Sequence, residues 1–232
     1  MTSLLMRLYE SAANLNRQNI LDLVADRQYA DLCDLGCDDG EWTAVVARHA
    51  KAERIYGIEI VPERARLARS HGIDVAESDL MKPFPYSDES FDLVHANQVV
   101  EHVGDIDHFF AETRRVLRVG GVAVISTENG SSWHNIFAAV MGWQIFSLTN
   151  VSKRRQGLGN PLAMHRGSHL ELETWTHKTI FNYRGLLEVL EVHGFEVIQA
   201  TGAGYHPLPA YLGRLDRRRS HFITMKAAKT GP

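Results

Sequence analysis

Apolar residues recur at three- and four-residue steps at Leu5, Leu8, Ala12 and Leu15, the spacing of one helical face, so residues 1–28 are expected to form an N-terminal helical cap. Short apolar runs and helical patterns then alternate. Residues 31–35 read as a buried strand, "EWTAVVARHA" from Glu41 as a helix and "RIYGIEI" (54–60) as a second strand. Pro62 suits the first turn of the next helix, "PERARLARS", which Gly72 stops. "IDVAESD" (73–79) is expected as a third strand, "PFPYSDES" (83–90) as a loop and "FDLVHA" (91–96) as a fourth strand. Ile106, Phe109, Phe110, Thr113, Val116 and Leu117 share a helical face, and Gly120-Gly121 is expected to turn the chain into a fifth strand, "VAVISTE" (122–128). Strands apolar throughout, each followed by a helix, imply a parallel sheet covered on both sides.

Residues 129–180 interrupt this rhythm with a long segment rich in Trp, His, Asn and Gly, which points to a functional insert rather than a plain connection. The alternation resumes with a helix around Leu186, Leu187, Val189 and Leu190, a sixth strand at 194–201 and a seventh at 220–227. At 232 residues the chain is expected to form one domain over 1–232, with 129–180 covering the substrate. A net charge of −3 gives no electrostatic case for nucleic acid as a partner. The two cysteines, Cys33 and Cys37, lie too close to a strand end for an undistorted disulfide, so reduced thiols and a cytoplasmic setting are expected. The first residues hold no apolar core suited to a signal peptide, and "WHNIFAAVMGWQIFSL" (133–148) falls short of the ~18 clean apolar residues of a membrane span.

The loop "CDLGCDDGEW" (33–42) leaves the first strand at the edge where parallel sheets bind ligands. A dinucleotide fingerprint needs three glycines at fixed spacing; here Asp38 and Glu41 stand where the second and third belong. A carboxylate about 6 Å from a phosphate charge is repelled by roughly 3 kcal/mol at an effective dielectric near 20. The acidic loop therefore suits a ligand with positive charge, such as the sulfonium and ammonium of S-adenosylmethionine. Glu59, ending the second strand, can accept both ribose hydroxyls. Asp79 can accept from the adenine amine, or can merely cap a turn, with Ile60 and Leu80 as apolar walls. Asn97 and Gln98 leave the fourth strand facing the methionine end.

With "DLGCDDG" (34–40), "GIEI" (57–60), "SDL" (78–80), "FDLVHANQVVEHV" (91–103) and "RRVLRVGGVAVIS" (114–126) in this order, the chain resembles the class I S-adenosylmethionine-dependent methyltransferases, in particular the small-molecule branch called methyltransferase type 11. The resemblance implies an α/β, Rossmann-like, doubly wound sheet of seven strands with the last antiparallel and helices on both faces. It also implies a cofactor site lined by Asp34, Gly36, Gly40, Glu59, Asp79 and Asn97, with Cys37 and Asp38 in the same loop. Asp38 departs from the family, which usually has glycine there, and places a side chain beside the methionine end.

The expected activity is methyl transfer to a small hydrophobic or amphipathic acceptor, with O-methylation favoured; the alternative is a non-catalytic cofactor-binding protein of the same fold. His102 is the candidate general base, or a histidine that pins its loop. Trp133, His134, Phe137 and Trp143 are candidates for the acceptor pocket. His134, His165, His169 and His177 show no tight ligand spacing, so no metal is expected. Arg214, Arg217, Arg218 and Arg219 form a solvated turn, an anion clamp or, with 133–148, a peripheral membrane contact. The chain is expected as a monomer or homodimer.

Overall fold

A computed structural model describes residues 2–231. Helix α1 (Thr2–Val24) precedes β1 (Asp31–Leu35), α2 (Glu41–Ala50), β2 (Arg54–Glu59), α3 (Pro62–Ser70) and β3 (Asp74–Glu77). Then come β4 (Phe91–Asn97), α4 (Ile106–Val116), β5 (Leu117–Glu128), α5 (Trp133–Val140), α6 (Tyr183–Val192), β6 (Phe195–Ala203), α7 (Leu212–Leu215) and β7 (Phe222–Lys229). The strands form one sheet ordered β3-β2-β1-β4-β5-β7-β6. β1 runs parallel to β2 and β4, and β4 parallel to β5, while β7 is antiparallel to β5 and β6. This is the doubly wound, seven-stranded topology implied by the resemblance. The strand order reverses between β1 and β4, and a crevice opens there at the carboxyl ends of the strands.

Every residue of β1 is buried, including Asp31, which pairs with Arg54 and Arg118, and Asp34, which bonds Thr43 and His95. One face of the sheet buries Phe109 and Phe110 of α4 and Leu186 and Leu190 of α6; the other buries Ile20 and Leu23 of α1 and Val46 and Ala50 of α2. Each of these Phe, Leu, Ile and Val side chains contributes about 1.5–3 kcal/mol relative to exposure, and Ala50 less. α4 begins where Asp105 accepts a hydrogen bond from the His108 N–H at 3.0 Å, a side-chain N-cap.

Four details differ from the pattern-based expectation. The buried stripe of α1 runs through Ala12, Asn16, Asn19, Ile20 and Leu23, because buried polar contacts as well as apolar ones dock it. The Gly120-Gly121 pair does not start β5; β5 begins at Leu117, and residues 118–121 bulge out between the pairs Phe91–Leu117 and Leu93–Val122. β3 ends at Glu77, so Asp79 lies in the following turn. The insert after β5 holds a helix, α5, whose apolar face is half outside. Among the described residues no helix is long and apolar enough to cross a membrane.

Candidate functional site

The loop after β1 holds Gly36, Asp38 and Gly40 in the left-handed region, at φ of 73°, 47° and 84°. A Cβ on Gly36 would meet Val99 Cγ2 at 2.9 Å, and one on Gly40 would meet the Ala68 backbone at 2.7 Å. Gly36 thus lets the loop approach the turn after β4, whereas Gly40 packs α2 against α3 away from the crevice. Asp38 takes the strained conformation without being glycine, which aspartate tolerates better than most residues. Its N–H donates to Glu59 Oε2 at 3.0 Å, and the Val61 N–H donates to Oε1 at 2.8 Å. These bonds fix Glu59, only 8% exposed, at the tip of β2, and leave each oxygen a further acceptor position. Burial pushes the Glu59 carboxyl up, against the opposite pull of the two backbone N–H groups.

A cleft of about 380 Å³ runs from Gly36 and Asp38 past Glu59, Ile60, Asp79 and Leu80 to Asn97, Gln98 and His102. Asp79 Oδ1 accepts the Met81 N–H at 2.9 Å, so it caps the turn and lines the cleft at once. Gln98 sits at φ 58°, and its buried Nε2 has no partner among the described residues. A second arm, also about 380 Å³, shares Gly36, Asp38 and Asn97 with the first and adds Cys37. Arg17 of α1 and Trp42 of α2 close it, the guanidinium 5.4 Å from the indole centre.

Two sequence expectations need correction here. Asp34 borders the second arm, but its oxygens are engaged by Thr43 Oγ1 and by His95 Nδ1, the latter at 2.7 Å, so it braces the loop from inside. The acidic loop is also partly neutralised, because Arg64 of α3 lies 3.3 Å from Asp38 and 3.4 Å from Asp39. Local charge is therefore a weaker selector than the composition of the loop suggested. Arg17 and Asn16 were missed altogether. Asn16 Nδ2 donates to Asn97 Oδ1 at 3.2 Å and to Ser126 Oγ at 2.9 Å, tying α1 to the site. A polar residue inside a helical apolar stripe was the signal available for Asn16.

Beyond His102 lies a further cavity of about 280 Å³, walled by Leu5, Leu8 and Tyr9 of α1, by Phe146 and Met164 of the insert, and by a cluster of histidines with Glu128. His102 Nδ1–H donates to the Thr176 carbonyl at 3.1 Å, which leaves the lone pair on Nε2. Burial, with His177 alongside, lowers the His102 pKa to about 4, so the ring is neutral at pH 7. Its centroid is 4.8 Å from that of His177, which lines the further cavity. Glu128 is held down to about 2: burial pushes it up, but His221 and His177 outweigh that.

Of the expected acceptor residues, His134 lines this cavity. Trp133 and Phe137 are 44% and 49% exposed on the outer face of α5, and Trp143 packs edge-on against Phe137 at 5.8 Å, so these three line none of the cavities described. The four histidines weighed as ligands do not converge as a set: His134 meets His206 and His221, His177 meets Glu101 and His102, and His165 and His169 are exposed. Cys33 and Cys37 are buried free thiols. The arginine turn is largely engaged: Arg214 bonds Asn19 and Asp22, Arg217 the Ala200 carbonyl, and Arg219 sits over Trp133.

Residues 8–200 match the family model described as a methyltransferase domain. A probable S-adenosylmethionine-dependent methyltransferase of Mycolicibacterium smegmatis is 35% identical over 83% of this chain and 61% of its own length. A ubiquinone biosynthesis O-methyltransferase of Sinorhizobium fredii is 27% identical over 76% of this chain and 64% of its own. The chain thus spans less than two thirds of the length of these curated relatives. A solved S-adenosylmethionine-dependent methyltransferase of Thermotoga maritima, described as a possible histamine N-methyltransferase, superposes with a TM-score of 0.61 at 16% identity, covering 97% of this chain and 94% of that one, which is a likeness of fold. Fold, motif order and family match agree: the chain belongs to the S-adenosylmethionine-dependent methyltransferases.

Proposed function

We propose that the protein transfers a methyl group from S-adenosylmethionine to a hydroxyl of a small amphipathic acceptor. The cofactor, when bound, supplies a methyl group on a positively charged sulfur. In this reading Glu59 accepts the ribose hydroxyls with the lone pairs its two backbone bonds leave free. Ile60 and Leu80 flank the adenine, and the second oxygen of Asp79 accepts its amine. Arg17 pairs with the amino-acid carboxylate, and Gly36, Cys37, Asp38, Asn97 and Gln98 surround that end. The fit rests on the crevice itself: two arms joined at Gly36 and Asn97, apolar on the nucleoside side and holding a cation on the other.

The observation that carries the proposal is the contact between His102 and His177, 4.8 Å apart, each lining a different cavity. It brings the cofactor cleft and a second chamber to one wall. An acceptor seated against Leu5, Leu8, Phe146 and Met164 would present its polar end to the histidines and its nucleophile to His102. His102 Nε2 then accepts the hydroxyl proton. A hydroxyl becomes far more acidic as its oxygen is alkylated, so a base with a pKa of about 4 suffices. The O-methyltransferase name of the ubiquinone relative supports oxygen as the acceptor atom, and the two buried free thiols support a cytoplasmic setting.

The test is incubation with methyl-labelled S-adenosylmethionine and a small-molecule extract, with calorimetry of S-adenosylhomocysteine and NAD in parallel. We expect label in a low-molecular-weight product, binding of S-adenosylhomocysteine but not NAD, and at least a tenfold loss of affinity in Glu59→Ala, since about 1.4 kcal/mol is a factor of ten. Cofactor binding with no labelled product from any acceptor would leave a non-catalytic binder, and preference for NAD would remove the reading altogether.

A further inference from the structure

Three imidazoles from three separate stretches meet in the wall of the acceptor chamber. His134 lies in the first turn of α5, His206 in the turn between β6 and α7, and His221 immediately before β7. One nitrogen of each lies within 4.8 Å of the others. The ring centroids are 4.4 Å apart for His134–His221, 4.9 Å for His206–His221 and 5.2 Å for His134–His206.

Their positions are set by the surrounding backbone and packing. The His221 N–H donates to the Gly204 carbonyl at 2.9 Å, and its carbonyl accepts the Asn129 N–H at 2.8 Å. Its ring stacks on Phe222 at 4.2 Å with an interplanar angle of 7°. The His134 ring stands edge-on to Phe146 at 5.4 Å.

We propose that His134, His206 and His221 bind a divalent first-row transition metal of the zinc class, with Glu128 as the carboxylate that orients His221. Nε2 of His206 and Nδ1 of His221 are 2.7 Å apart and share one proton in a hydrogen bond, so two ring nitrogens already converge on one point. A bound metal ion would take the place of that proton and be held by the lone pairs. Tetrahedral ligands at 2.0–2.1 Å from a zinc ion stand about 3.3 Å apart, and the three nitrogens here lie within 4.8 Å of one another. Glu128 Oε1 lies 3.9 Å from His221 Nε2 and favours the proton there, which leaves Nδ1 to the metal. The distance is that of an ion pair, longer than the hydrogen bond by which a carboxylate fixes the tautomer of a ligating imidazole.

Neutral nitrogen donors with no thiolate select zinc, cobalt, nickel or copper over magnesium and calcium, which prefer oxygen. Three protein ligands leave a coordination position for an exogenous group, and all three histidines line the chamber. The other cluster, Glu101, His102 and His177, is the internal comparison; in it Glu101 Oε2 accepts from Thr127 Oγ1 at 2.9 Å and His102 donates to the Thr176 carbonyl.

The inference does not depend on methyl transfer, because metal binding is measured without cofactor or acceptor. Untagged protein is stripped with a chelator and titrated with Co²⁺, followed by its visible absorption and by calorimetry, then challenged with Zn²⁺. One equivalent of Co²⁺ should bind and be displaced by Zn²⁺. His206→Ala and His221→Gln should each weaken binding at least about 100-fold, and His102→Ala should leave it unchanged. His134→Gln serves as the third variant should one of these fail to fold, with circular dichroism reporting the folded state. Failure of the wild-type protein to bind one equivalent overturns the proposal. So does a folded His206→Ala or His134→Gln protein that binds normally, or a loss confined to His102→Ala.

Discussion

Arg17 has a defined part in the proposed cleft: among the described residues it is the one arginine or lysine lining an arm also bordered by Asp34, Asp38, Asp39 and Glu41. A guanidinium placed there recognises a carboxylate and nothing in the nucleoside. Charge-assisted hydrogen bonds contribute about 1.5–3 kcal/mol, a factor of about 10–150 in affinity. Arg17→Met should therefore weaken S-adenosylhomocysteine by that factor. It should leave methylthioadenosine, which lacks the amino-acid end, within about twofold. Equal losses for both ligands in calorimetry would place Arg17 outside the carboxylate site. At this scale one half of the proposed site was legible, in that Glu59, Ile60, Asp79 and Leu80, read from strand ends and short motifs, line one cleft. The other half was not. Whether Asp34 faces a ligand or Thr43 and His95, and whether Asp38 meets Arg64, depends on side chains brought in from other elements.

Among elements, α1 links the sheet to both cavities, supplying Arg17 to one and Leu5, Leu8 and Tyr9 to the other. Its C-terminal end is held by Lys226 of β7, a buried ammonium that donates to the Leu23 carbonyl at 2.9 Å and to Tyr29 Oη at 3.0 Å, and pairs with Asp26 at 2.6 Å. Lys226→Met leaves the Leu23 carbonyl buried without a donor, while Asp26, half exposed, regains water. The expected cost is about 1–3 kcal/mol in urea unfolding with an unchanged m-value. Amide exchange should accelerate in α1 more than in β4. Equal acceleration in both elements, or no change in stability, would mean that Lys226 does not anchor the helix. The helix itself was visible as a periodic apolar stripe, yet its docking was not. Asn16, Asn19 and Lys226 interact with residues about 80 to 200 positions away, beyond the reach of local pattern. The insert shows the same limit: composition marked it as unusual, but which of its aromatic residues face inward is decided by the packing of α5 against the 144–149 segment.

For the molecule as a whole, Glu101 ties the cofactor edge of the sheet to folding. It is buried in the turn after β4, beside Thr127 of β5, and burial, with Glu128 adding to it, pushes its pKa up to about 8. The native protein then keeps a proton that the unfolded chain releases near the ordinary value of 4.5. Because the folded-state pKa is the higher one, this contribution to stability is fully present below about pH 4.5 and is lost progressively as pH rises through about 8. At about 1.4 kcal/mol per pH unit the slope accumulates to the order of 5 kcal/mol across that window. Glu101→Gln cannot ionise and can still accept from Thr127. Urea unfolding of the two proteins at intervals between pH 5 and pH 9 should show the glutamine variant gaining steadily on the wild type up to about pH 8, then running parallel. Parallel curves throughout would mean that Glu101 is already ionised in the native state, with His102 and His177 as the titratable groups beside it.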